Sequence, residues 1–92
     1  MTQIEESAVR QQLAEIVGST DFTASERLKG FLAYIVEMTL QGKQNLLKAY
    51  TIAVDVFGMP TDFDSRINPM VRMEASRLRS KLDHYYLQNP HA

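Results

Sequence analysis

The stretch VRMEASRLRSKL, residues 71–82, sets three arginines and a lysine within twelve residues of a chain whose formal net charge is −1. Carried on to Gln88 and placed at 100° per residue, it separates into two faces. Val71, Ala75, Leu78, Leu82 and Tyr85 gather in one narrow stripe, the pattern of a helix lying on a core. The opposite side carries Met73, Ser76, Ser80 and His84. Arg72 and Arg79 stand on one shoulder, Arg77 and Lys81 on the other. Small polar residues flanked by cations suit a helix in a DNA major groove, where the middle approaches base edges and the shoulders reach phosphates. An ordinary solvated helix accounts for the same residues by internal pairing, Glu74 with Arg77 at i+3 and Asp83 with Arg79 at i+4.

Three further helices precede it. In TQIEESAVRQQLAEIVG, Val9, Leu13, Ile16 and Val17 recur at helical spacing, Thr2 and Glu5 are placed for a capping box, and Gly18 stops the run. A second box is read in TASE, Thr23 with Glu26, opening a helix over 24–41 that Gly42 closes. Its residues Leu28, Phe31, Leu32, Ile35 and Met38, widened by Val36 and Leu40, describe a buried central helix. The third, 46–57, places Leu46, Ala49, Tyr50, Ala53, Val56 and Phe57 in helical rhythm before Gly58, although the β-branched run TIAVDV also fits a strand. MPTDFDSRINP is a loop, and the last helix runs from Pro69 to Gln88 before a frayed tail, NPHA. The expected architecture is all-α: one domain over 1–92, four helices, with a helix-turn-helix core at about 46–88 and no complete wing.

Ninety-two residues, 45% hydrophobic and 23% charged, make one folded domain with one core. No apolar run approaches the ~18 residues that span a bilayer, and MTQIEESAVR lacks the basic and apolar regions of a signal peptide, so a cytoplasmic, bacterial-type protein is expected. With no cysteine there is no disulfide, thiolate metal site or thiol nucleophile. Gly-rich phosphate loops, G-x-S-x-G and paired histidines at ligand spacing are missing too, so no enzyme, catalytic residue, metal or cofactor is expected. Asp62 and Asp64 superficially match a calcium loop, but Arg66 occupies a ligand position and the sixth position is not Gly. Charge is polarised along the chain: residues 1–42 hold three basic and six acidic side chains, residues 43–92 seven and five.

The string LKAYTIAVDVFG, a loop containing DFDSR, and VRMEASRLRSKL together resemble the helix-turn-helix core of OmpR-type winged-helix effector domains. The resemblance matches Val56-Phe57-Gly58 to the end of that family's positioning helix, and Arg77, Leu78, Arg79, Lys81 and Leu82 to its recognition helix. It implies a DNA-binding regulator. The chain departs from the pattern in lacking the leading β-platform and the trailing hairpin wing, and in placing Arg72 where the family has Asp. Over most of residues 24–87 it is also similar, more closely, to an uncharacterised proteobacterial domain found before cyclase-like or tetratricopeptide modules.

These readings nominate Arg66, Arg72, Met73, Ser76, Arg77, Arg79, Ser80 and Lys81 as DNA-binding residues, with double-stranded DNA as partner. A homodimer through residues 1–42, using Ile4, Ala8 and Ile16, would supply the second recognition helix that a wingless domain needs. The competing reading, favoured by the net charge, is a protein-interaction or anti-activator module whose partner is a regulatory protein.

Overall fold

A computed structural model describes residues 3–90, the side chain of Ile4 excepted, so the Thr2 cap, the Ile4 contact and the last two residues of the tail lie outside the described residues. Four α-helices follow one another: α1 (Gln3–Val17), α2 (Glu26–Leu40), α3 (Ala49–Asp55) and α4 (Met70–Gln88), with a single 3-10 turn at Gln44–Leu46. The fold is all-α, 67% helical, with no strand among the described residues. No helix among them is long and apolar enough to cross a membrane.

The centre is α2, which packs against both α1 and α4, while α3 packs on α4. Leu28, Phe31 and Leu32 of α2 meet Ile16, Ile52, Ala53, Val71, Leu78 and Tyr85 in one core. Beyond that cluster α2 is less enclosed than its apolar circumference predicts. Ile35, Val36, Met38 and Leu40 are only half-buried, and Val9 of α1 lines a shallow groove with Ile35, Val36 and Leu40.

The start of α2 corrects the sequence reading. The cap is Ser25, whose Oγ accepts from the Leu28 backbone N–H at 3.3 Å, and not Thr23. The backbone N–H groups of Phe22 and Thr23 both return to the Ser19 carbonyl, which winds residues 19–23 into a turn of their own. That turn delivers the Phe22 ring into the core with no solvent exposure and moves the cap two residues onward. At the far end, Gly42 takes φ +72, Lys43 N–H reaches the Met38 carbonyl and Gly42 N–H reaches that of Thr39. This pair of bonds is the Schellman closure that a glycine permits.

The third helix is shorter than its periodicity suggests. Leu46 sits in the 3-10 turn, Val56 and Phe57 lie beyond the last helical residue, and Leu46 and Tyr50 are exposed. The strand alternative for TIAVDV does not occur. Packing decides it: Ile52 and Ala53 are buried, and the Phe57 ring meets that of Phe31 edge-on with centroids 5.3 Å apart. Gly58, at φ +67, then turns the chain away.

Candidate nucleic-acid interface

The loop from Val56 to Pro69 aims α4, and it is fastened along its length. Phe63 is buried, the Tyr50 hydroxyl donates to the Thr61 carbonyl at 2.9 Å, and Asp64 accepts from the Arg66 backbone N–H at 2.9 Å. Pro69 stands at the cap position rather than inside the first turn, and the Asn68 side-chain oxygen accepts from Met70 N–H at 3.0 Å. From there α4 runs nineteen residues. Its inner stripe is the expected one, with Val71, Leu78 and Tyr85 buried and Ala75 and Leu82 packed against the core.

The outer face is also the expected one. Met73, Ser76 and Ser80 are exposed, with Met73 retaining 60% of its surface. At 1.5 Å per residue this strip is about 10 Å long, which fits within the ~12 Å breadth of a major groove. The nominated cations divide into two sets. Arg66 grips Asp64 with two nitrogens, Nε at 3.1 Å and Nη2 at 2.9 Å. That pairing holds the Asp64 carboxyl below its usual range and raises Arg66, so the charge of Arg66 is already neutralised. Arg77 donates to Glu74 Oε1 at 3.1 Å, the pairing expected from spacing. By contrast Arg72, Arg79 and Lys81 meet no carboxylate among the described residues. Arg72 Nη1 donates to the Ser65 carbonyl at 2.9 Å, tying the loop to the helix, and the Asp83–Arg79 pair does not form. Lys81 is half-buried and the other two are exposed.

The burial of Glu74 and the partner of His84 escaped the sequence reading. Glu74 stands on the buried stripe, three residues after Val71 and four before Leu78, and is only 6% exposed. Its Oε1 also lies 3.9 Å from Arg27 of α2, whose guanidinium sits 5.6 Å from the centroid of the Phe57 ring. A carboxylate at an inner helix position is itself a sign that cations lie nearby, but not from which helix they come. His84, placed on the outer side of the helix by its spacing, is exposed yet pairs through Nδ1 with the Asp21 carboxylate in the turn before α2.

No protein-family model, curated protein or solved structure matches the chain.

Proposed function

We propose that the chain is a cytoplasmic, sequence-specific transcription regulator that lays the outer face of α4 in the major groove of double-stranded DNA. In this reading α3 and α4 are the two helices of a helix-turn-helix, joined by a long fastened loop. The observation that supports it is the outer face of α4: Met73, Ser76 and Ser80 in the open, bordered by Arg72, Arg79 and Lys81, which meet no carboxylate among the described residues. Phosphates are the ligands such cations accept, and short exposed side chains between them leave room for base edges. Arg66 contributes less than its position suggests, since Asp64 already takes its Nε and Nη2 donors and offsets its charge.

A second copy completes the reading. The half-buried residues Val9, Ile35, Val36 and Leu40 line a shallow apolar groove of about 180 Å³ between α1 and α2, inside the segment 1–42. Ile16 takes no part, because it is buried in the core, whereas Ala8 is exposed. Pairing two copies through that surface would hold the acidic half away from the duplex. The same apolar groove is what favours the other reading, in which a regulatory protein and not DNA is the partner.

Fluorescence anisotropy with a duplex from the chain's own upstream region, repeated from 50 to 200 mM salt, tests the assignment. Binding should weaken steeply with salt, and Arg79→Ala and Lys81→Ala should each lower the log–log slope by about 0.9. Unchanged slopes in both variants would reject the interface, and sedimentation equilibrium at micromolar concentration decides the dimer.

A further inference from the structure

Glu74 is the one buried charged residue on α4, and its arrangement is lopsided. Oε1 takes Arg77 at 3.1 Å and Arg27 at 3.9 Å, while Oε2 is buried with no hydrogen-bond partner. A carboxylate with one oxygen unsatisfied costs stability and is poor structural glue. What it does achieve is to bring two guanidiniums from different helices to a single oxygen. Both remain open to water, with Arg27 exposing 54% of its side chain and Arg77 62%. The Phe57 ring supports Arg27 from behind. Each guanidinium carries five N–H donors in a planar fork, so one shared oxygen leaves most of them unused.

We infer that Arg27 and Arg77 form a two-arginine clamp for one phosphate group, set in place by the buried carboxylate of Glu74. The three side chains carry a net charge of +1, and both guanidiniums are already drawn to one carboxylate, so less side-chain freedom is left to lose on binding. Arg77 lies on the shoulder of α4 that also carries Lys81, and Arg27 extends that shoulder onto the first turn of α2. Its neighbour Glu26 is paired with Lys29 at 3.1 Å. The inference deepens the duplex reading by adding a residue of α2 to the footprint and by making two arginines share one backbone phosphate.

Counting phosphates separates a clamp from two independent contacts. Arg27→Gln and Arg77→Gln remove charge while leaving a donor for Glu74, and thermal melting checks that both variants fold. With the duplex, each single variant should lower the salt slope by about 0.9, and the double variant should lower it by the same amount, because one phosphate is lost in every case. A double variant that loses about 1.8 would show two phosphates and overturn the clamp. So would single variants with unaltered slopes, even if Arg79→Ala and Lys81→Ala behave as the α4 interface requires. The second arm uses the unmodified chain and inorganic phosphate at constant ionic strength, followed by the arginine Nε–Hε NMR signals. Arg27 and Arg77 moving together with one midpoint supports the clamp, and it would stand on this result for another phosphorylated partner if no duplex bound. Signals that stay still, or that move with different midpoints, overturn it.

Discussion

Helices α1 and α4 both pack on α2 and both turn cations toward solvent, yet the two treat them differently. On α1, Arg10 is held by two carboxylates: Nη2 meets Glu6 at 2.9 Å and Nη1 meets Glu37 of α2 at 2.7 Å. On α4, Arg72, Arg79 and Lys81 have no such neighbour among the described residues. The net charge of the chain cannot distinguish these cases. What an anionic ligand meets is set by which cations are already neutralised, so an acidic α1 need not cancel a basic face on α4.

The largest effect tests whether the two helices are equally anchored. Leu78→Ala on α4 removes a side chain only 5% exposed and should cost ~2–5 kcal/mol, whereas Leu13→Ala on α1, half-buried, should cost distinctly less. Urea denaturation with unchanged m-values measures both, and equal costs would erase the contrast. Next in size is the carboxylate each helix engages. Glu74→Met replaces a buried, half-satisfied charge with a side chain of similar volume, so stability should hold or rise by ~1–4 kcal/mol. Glu37→Met, at an exposed pair, should change it little. A strongly destabilised Glu74→Met would show that the buried carboxylate is a structural keystone. Smaller still is the salt slope: Arg79→Ala should lower it by about 0.9 while Arg10→Ala leaves it unchanged. A drop for Arg10→Ala would mean that α1 also faces the duplex.

The smallest effect is acid titration of the α1–α2 tie. Hydrogen bonds from Arg10, then Gln41, bring the Glu37 pKa down to about 2 from an ordinary value of 4.5. A carboxyl depressed in the folded state contributes stability that is fully present above 4.5 and lost as pH falls toward 2. The stability of the parent chain should therefore fall across that window more than that of Glu37→Gln. Parallel curves would show that the tie contributes nothing in solution.

The helices were legible in the sequence where one residue type at one spacing decides the outcome. The apolar stripe of α4 and its Ser/Met strip follow from period alone, and Gly42 and Gly58 mark their turns because few other residues accept a positive φ. The failures share a cause: each depends on what a distant segment does. Ser25 displaced Thr23 as the cap because a buried Phe22 ring draws the preceding turn inward. Helix α3 starts three residues later than its period suggests, with Leu46 exposed in the preceding 3-10 turn. At the site, Arg79 and Lys81 were read correctly as exposed or half-exposed cations, but the neutralisation of Arg66 by Asp64 and the approach of Arg27 to Glu74 depend on loop geometry and helix crossing.

Seven residues is too short for a helix to persist in water without support, since its nucleation cost is spread over very few hydrogen bonds. The supports of α3 are few and identifiable: the Tyr50–Thr61 hydrogen bond, the Tyr34 hydroxyl donating to Asp55 Oδ2 at 3.1 Å, and the burial of Ile52 and Ala53. Residues 49–69 should therefore open as one cooperative unit before the α2 centre does. Their amides should exchange with deuterium together, at a free energy below that of global unfolding, and a ligand on α4 that steadies Ser65 through Arg72 would slow the whole group at once.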